Sequence, residues 1–510
     1  VSDSLAHEPP PLRGPILVVA GVLLALANFM VVLDTTIANV SVPTIAGGLA
    51  VSPSQGTWVI TSYSVAEAIS VPLTGWLATR FGSVRTFAVA MTSFGVWSAV
   101  CGLAPSLGVL VICRVMQGLS GGPMIPLSQT LLLRIFPKEQ APAAIGLWGV
   151  TTVVAPIVGP ILGGLLCDNY GWPWVFYINV PVAFVCAYLV WRLLASHETF
   201  TRRLPVDRVG LVLLIVWVGA LQIMLDKGKD LDWFGSPVIR ILALVAAVGF
   251  TLFVIWELTD KSPIVDLFVF RHRGFTVGAV VLALGFGAYF STVVLIPLWL
   301  QTNLLYTASW AGYVMAFNGI LAVAFSPLVP RLMQRVDPRA LVSAGLIGMG
   351  LVTMLRMGFA SNINFLAIAW PNLLQGAAIP FFFVPLTGLA LSAVKPEETA
   401  SAAGLANFMR TTAGAFGTSI ITTRWDDAST HDKSELVGRL NGASDFVTQL
   451  LGQGFSSDQA LSQLDSLVNA EATMTATTHM FSAAALVLLA GGLAIWLAPK
   501  PAGQISTASH

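Results

Sequence analysis

The chain has 510 residues, of which 55% are hydrophobic and only 10% charged, and its 26 Lys and Arg against 25 Asp and Glu leave a formal net charge of +1. A soluble domain carries about 25% charged residues, so this composition excludes a water-soluble fold. The near-zero charge supplies neither the basic field of a nucleic-acid binder nor an acidic tail for a cationic partner.

The charges gather in short clusters, such as 192–208, 257–273 and 331–339, between apolar runs long enough to cross a bilayer. The fold class expected is an all-α membrane protein with fourteen transmembrane helices. A polar tail, 1–14, precedes six spans near 15–36, 56–78, 86–103, 108–132, 142–166 and 174–195, forming an N-terminal bundle over 15–195. The first of these reads as a retained helix rather than a cleaved signal, because it is long enough to span. A linker, 196–274, contains two further spans near 209–226 and 237–258. The C-terminal bundle, 275–498, has spans near 275–300, 309–330, 341–360, 366–392, 400–423 and 477–498, and a short tail, 499–510, follows.

With the N-terminus inside, and Arg192 and Arg240 near span ends counted with the adjoining segments, seventeen Lys and Arg fall on cytoplasmic segments, six outside and three in spans. The inside set includes Arg80, Arg85, Arg134, Lys138, Arg192, Arg202, Arg203, Arg271, Arg273, Arg331, Arg335 and Arg339. The positive-inside rule then places both termini in the cytoplasm. The segment 424–476 lies outside, and the helical spacing of Leu461, Leu464, Leu467 and Val468 predicts an amphipathic surface helix. It reads either as a cap on the protein's own outer face or as a docking surface.

An internal repeat is visible. Span 4 reads QGLSGGPMIPLS from Gln117 and span 12 reads QGAAIPFFFVPLT from Gln375, while LATRFGSVR after span 2 matches LMQRVDPR after span 10. Two related six-helix halves follow, as in transporters built from repeats, with spans 7 and 8 inserted between them.

Ionisable groups inside spans are the sharpest functional signal, since each costs about 2.5–3.5 kcal/mol at the bilayer centre on insertion scales. Five stand out: Asp34, Glu67, Arg114, Arg356 and Arg410. Asp34, followed by Thr35, Thr36 and Asn39, and Glu67, midway along span 2, each read as a protonatable carboxylate or as a structural one. A buried Arg114 needs a carboxylate or carbonyls, and Asp34 or Glu67 would serve. Arg410 is its C-terminal counterpart on the substrate path or gate. Arg356, near a span end, is expected to snorkel to the interface.

APIVGPILGG concentrates Pro156, Gly159, Pro160, Gly163 and Gly164 in span 5, where prolines bend a helix and small residues admit a close neighbour. The glycines at 118, 121 and 122 take the same packing reading. No GxxxxGK[ST] occurs in the sequence, which argues against direct ATP hydrolysis. Cys101, Cys113, Cys167 and Cys186 read as small core residues, and the six scattered histidines suggest no metal site. Trp58, Trp172, Trp174, Trp299, Trp310 and Trp370 read as interfacial anchors. Phe381, Phe382 and Phe383 line a greasy cavity or belong to the core.

These motifs resemble the fourteen-span drug:proton antiporters of the major facilitator superfamily, most closely the EmrB-type multidrug exporters, over about residues 15–500. LDTTIANVSVPTIAG carries Asp34, SQGTWVITSYSVAEAISVPLTGWLATRFG covers span 2 and its loop, and RVMQGLSGGPMIPLSQ carries Arg114 and Gln117. GPILGG, WPWVFYINVP, LQIMLDKGKDLDWF and NFMRTTAGAFGTSI, with Asn407 and Arg410, complete the match.

The resemblance implies efflux of hydrophobic compounds across a bacterial inner membrane, driven by a proton gradient and needing no cofactor. Asp34, Glu67 and Arg114 are then expected to couple protons. Asn39, Gln117, Phe381, Phe382, Asn407 and Arg410 would line or gate the substrate path. Membrane lipids, a periplasmic EmrA-like membrane-fusion adaptor and a TolC-like outer-membrane channel are the implied partners.

The loop motif departs from the family pattern, because Thr79 stands where an Asp is usual and Ser83 and Val84 replace basic residues. Gly75, Arg80, Gly82 and Arg85 must close the cytoplasmic gate differently. Two rival readings are a dedicated exporter of a fatty acid or siderophore, and an intramembrane lipid-modifying enzyme. The enzyme would need His, Ser or acidic groups clustered at one depth, and the sequence does not suggest such a cluster.

Overall fold

In hydrocarbon a backbone must satisfy its own hydrogen bonds, and a helix does so within a single segment. The computed structural model describes residues 12–500 except 138–139, 203–204, 362 and 439–442, and every regular element among them is a helix. Lys138, Arg203 and most of both tails lie outside the described residues.

The N-terminal half comprises α1 (Gly14–Gly48), α2 (Trp58–Ser70), α3 (Thr74–Phe81), α4 (Ser83–Gly102), α5 (Leu107–Gly121), α6 (Met124–Ile135), α7 (Ala141–Tyr170) and α8 (Asn179–Leu194). The inserted pair is α9 (Arg208–Lys227) and α10 (Pro237–Thr259). The C-terminal half holds α11 (Arg273–Thr302), α12 (Ala308–Phe325), α13 (Leu328–Met333), α14 (Pro338–Leu355), α15 (Phe365–Ser392), α16 (Thr399–Gly438), α17 (Ala443–Gly452) and α18 (Ser457–Ala494).

Among the described residues ten stretches are long and apolar enough to cross a membrane. An eleventh arises if the two limbs of α7, bent by 44° next to Pro156, form one span. The other expected spans fall on helices interrupted near proline, α2–α3 at Pro72 and α12–α13 at Pro327, or on α16, which is rich in small and polar residues.

Within the N-terminal half α1 packs on α7, α2 on α5 and α4 on α8; within the C-terminal half α11 packs on α16 and α18, and α15 on α12 and α14. The halves meet where α7 lies against α12 and α15, and where α3 and α6 lie against α16. The inserted helix α9 touches both α2 and α16.

Small residues permit these approaches. A Cβ on Gly118 would stand 2.5 Å from the Tyr63 carbonyl oxygen, one on Gly122 2.9 Å from that of Glu67, and one on Gly121 2.7 Å from the Tyr63 hydroxyl. In α7, Gly159 meets Thr36 and Gly163 meets the carbonyl of Ile37, so both face α1, whereas Gly164 faces open space.

Segment 424–476 is built mainly from the ends of two long helices, α16 continuing to Gly438 and α18 beginning at Ser457, with the short α17 between them, so the predicted apolar positions fall on α18 and not on a separate surface helix. Trp425 Nε1 donates to Thr477 Oγ1 at 2.8 Å and Lys433 pairs with Asp465 at 2.8 Å, tying the two helices together. Of the four predicted apolar positions only Val468 is buried. Leu461 and Leu467 are exposed, because the packed stripe of α18 is built from Ala460, Val468 and Ala472.

Trp299 also departs from the interfacial reading. It is 1% exposed and stacks on Phe359 at 6.1 Å, inside the C-terminal half. Trp58, Trp174, Trp310 and Trp370 are exposed, as an anchor requires, and Cys101, Cys113 and Cys186 are buried and unpaired.

Gly118→Val drives a side chain into the backbone of α2 and is expected to destabilise the protein by about 1–3 kcal/mol or more. Its melting temperature in detergent should fall by several degrees, while that of Gly164→Ala stays at or above the parent value.

Candidate functional site

Asp34 on α1 and Arg114 on α5 are both fully buried and form an ion pair, Arg114 Nη1 lying 2.6 Å from Asp34 Oδ2. The other carboxylate oxygen accepts from Gln117 Nε2 at 3.2 Å and Asn179 Nδ2 at 2.7 Å. Arg114 and Gln117 are spaced to share one face of α5, and Arg114 Nη1 also donates to Gln117 Oε1 at 2.8 Å. Arg114 Nε donates to the Val59 carbonyl at 3.0 Å, and the guanidinium lies over the Tyr63 ring at 4.1 Å.

The pair therefore joins α1, α2, α5 and α8 in one network. Removing one member of a buried pair typically costs about 3–5 kcal/mol, because the other charge is stranded. Asn179 and Ser98, whose hydroxyl receives Gln117 at 3.2 Å, were not singled out from the sequence. Asn179 did leave a signal, as an amide in the otherwise apolar run FYINVP. Asn39 is not part of this network: it is exposed on α1, on a side of the helix different from that of buried Asp34.

Glu67 lies apart, half-buried on α2 with no ion pair among the described residues. The charges that reach it come from Arg410 and Arg114, with Asp34 as a like charge. Arg410 is 3% exposed, sits over the rings of Phe286 at 5.2 Å and Trp148 at 5.5 Å, and leaves Nε and Nη1 without hydrogen-bond partners. One turn earlier on α16, Asn407 Nδ2 reaches across the halves to Gln129 Oε1 at 3.1 Å.

Two cavities of about 10 Å³ each open at this seam, one bounded by Gly149, Ser326 and Phe383, the other by Trp148, Phe383, Asn407 and Arg410. Such a volume holds at most one water, whereas small-molecule sites measure about 300–1,000 Å³. Neither cavity as it stands admits a bulky ligand.

Among the three phenylalanines Phe383 lines both cavities. Phe382, expected on the substrate path, is 0% exposed and packs where Cβ atoms on Gly285 and Gly345 would collide with it, so it belongs to the core. Phe381 sits at the seam near Phe325, with ring centroids 6.2 Å apart. Arg356 does not snorkel. It is 0% exposed, and Nη2 donates to Asn372 Oδ1 at 2.8 Å and to Gln375 Oε1, because α15 turns two amide oxygens toward it.

At the arginine-rich end Gly75 lies against Ser401 of α16, a contact no larger residue permits. Gly82 adopts φ +90°, a left-handed conformation suited to glycine, and a Cβ there would meet Glu198 at 2.4 Å. Glu198 accepts from the backbone N–H groups of Val84 at 2.9 Å and Arg85 at 2.8 Å, so its carboxylate caps the positive end of α4. This is how the departed loop motif is held. Thr79 turns its hydroxyl back to the Gly75 carbonyl at 2.9 Å, Arg85 serves through its backbone while its side chain is exposed, and Arg80 lies over Trp76 at 5.3 Å.

The histidines are scattered as expected, but His431, Asp432 and Glu435 on α16 bring ligand atoms within 4.8 Å of one another, with His431 and Glu435 exposed.

Residues 24–418 match the model of the Major Facilitator Superfamily. The chain is 44% identical over 499 residues to the multidrug export protein EmrB of Escherichia coli, covering 97% of each. It is 43% identical over 496 residues to the fatty acid resistance protein FarB of Neisseria gonorrhoeae, covering 96% of this chain and 98% of that one. The fold is similar to that of the proton:xylose symporter XylE, with a TM-score of 0.56 at 13% identity, covering 92% of this chain and 94% of that one. The chain belongs to the major facilitator superfamily and, within it, to the EmrB-like multidrug export proteins.

Proposed function

We propose that the protein is a drug:proton antiporter that exports hydrophobic compounds by alternating access. The observation that carries this reading is the unequal placement of two carboxylates in the N-terminal half. Asp34 is held by three side-chain donors, whereas Glu67 has no ion pair among the described residues and lies within range of the charge of Arg410, which lines a cavity at the seam. Glu67 exchanges the proton, and the Asp34–Arg114 pair is the polar joint that keeps α1, α5 and α8 together as the halves rock. Protonated Glu67 favours one arrangement and bound drug the other, which is all that coupling requires. One proton moving down ~150 mV supplies about 3.4 kcal/mol, enough to sustain roughly a 300-fold gradient of a neutral drug.

In this reading the chain crosses the membrane fourteen times, with α2–α3, α12–α13 and α16 completing the set, and both termini face the cytoplasm of a bacterium whose inner membrane holds it. The arginines at the α3–α4 turn and around α14 support that orientation. The protein needs no cofactor beyond the proton gradient and is a carrier rather than an enzyme. The extension formed by α16 and α18 meets an EmrA-like adaptor leading to a TolC-like channel. A second reading, dedicated export of a fatty acid, is favoured by the name of the relative FarB and by the cationic Arg410 at an apolar seam.

Proteoliposomes with an imposed pH gradient and a panel of lipophilic compounds test the assignment. Glu67→Gln should keep its melting temperature and drug binding while gradient-driven uptake falls to background; uptake at the parent rate removes Glu67 from the coupling role. Asp34→Asn should lose about 3–5 kcal/mol of stability by stranding Arg114. The double variant Asp34→Asn with Arg114→Gln should recover most of that loss in thermal melts. Uptake restricted to fatty acids across the panel would favour the second reading.

A further inference from the structure

The two halves carry corresponding polar clusters, and only one of them contains a carboxylate. In the N-terminal half the Asp34 oxygens receive Arg114, Gln117 and Asn179. In the C-terminal half Gln375, the repeat counterpart of Gln117, lies against Arg356, which opens the turn Arg356–Gly358 at the end of α14. Arg356 is fully buried, as are Asn318, Asn372 and Gln375 around it. Among the described residues it has no carboxylate at ion-pairing distance.

Counting back equally from the helix-interior prolines Pro43 of α1 and Pro297 of α11, Asp34 falls opposite Ala288. Its neighbour Tyr289 is close enough to interact with the Arg356 charge. A methyl group thus occupies the register position that bears a carboxylate in the other half.

The hydrogen-bond inventory shows the same imbalance. Arg356 Nε and Nη1 and Gln375 Nε2 are buried donors without partners, against one unpartnered acceptor, Asn318 Oδ1. Arg356 Nη2 alone is engaged, by Asn372 and Gln375. A buried guanidinium is stable when an anion and hydrogen bonds offset its desolvation, and a buried donor left unmade is costly. The cluster has the cation and the donors. It lies one short turn from the surface, since Met357 and Gly358 next to Arg356 are exposed.

We propose that Arg356, Gln375 and the neighbouring amides form a site for a small monovalent anion, chloride or a short carboxylate, which takes the role in the C-terminal half that the Asp34 carboxylate plays in the N-terminal half. The two orphan guanidinium nitrogens lie on different edges of the group, so one small anion engages one of them while its charge offsets the whole cation. The site is separate from the seam cavity that Arg410 lines.

The test is thermal melting of the full-length protein in detergent, with sodium chloride or sodium acetate titrated against sodium gluconate at fixed ionic strength and pH. The melting temperature should rise saturably with chloride, with acetate, or with both, and the two arms separate a halide site from a carboxylate site. Arg356→Gln should lose the anion-dependent rise. Ala288→Asp, which supplies a carboxylate from the chain itself, should melt above the parent in gluconate and gain little from either anion. A parent protein that melts identically in all three salts, or an Arg356→Gln variant that keeps the full rise, overturns the proposal. An Ala288→Asp variant that melts below the parent and still responds to anion shows that the anion does not take the counterpart position.

Discussion

A charge inside a bilayer-spanning protein cannot turn to water for solvation, and that constraint organises this molecule. Each ionisable group held in the helices must find a partner in the protein, receive a proton or ligand, or bear the cost. Asp34 and Arg114 answer it with a close pair in which both carboxylate oxygens are occupied. Glu67 and Arg410 have no ion-pair partner among the described residues, and two of the Arg410 nitrogens are without hydrogen bonds. The proposed mechanism rests on that difference, with the paired carboxylate as the joint and the other as the group that changes its state.

The same constraint explains where backbone packing is tightest. The glycines of α5 lie against carbonyl and hydroxyl oxygens of α2, and Gly159 of α7 lies against Thr36 of α1. The four helices that carry the polar network are thereby locked into one body. Across the seam the contacts are sparser and more specific: Gly75 on Ser401, Asn407 on Gln129, and aromatic rings around Arg410. The inserted helix α9 spans that seam, with Lys227 donating to Thr57 on the N-terminal side and Ser419 of α16 donating to the Leu225 carbonyl on the other.

At the arginine-rich end the chain shows how a motif can lose its acid and keep its geometry. With Thr79 in the place of a carboxylate, the anion at the start of α4 comes from Glu198, on the segment that follows α8. The helix dipole attracts a negative group whatever part of the chain supplies it. Beyond Glu198, Arg202 N donates to the Thr79 carbonyl at 2.8 Å, and Trp76 Nε1 donates to the Pro205 carbonyl at 3.3 Å.

Much of this was legible in the residues. Hydrophobic length and charge scarcity determined the helical membrane class, the repeated QG and arginine motifs suggested two related halves, and ionisable residues in apolar runs marked Asp34, Glu67, Arg114 and Arg410. Those features are local, and the cost of charge in hydrocarbon makes them conspicuous. What the sequence could not disclose was which donors surround each charge. Asn179 and Glu198 reach their partners from helices and segments far along the chain. Arg356 and Trp299 stand near span ends, where snorkelling or anchoring is the usual outcome, yet both are buried by neighbours that arrive through folding. Phe382 and Phe383 are adjacent and chemically identical, and only the rotation of α15 sends one to the core and the other to the seam. Composition and pattern determined that charges would be buried; tertiary packing decided which were paired, because a partner's distance depends on the meeting of helices and not on their order.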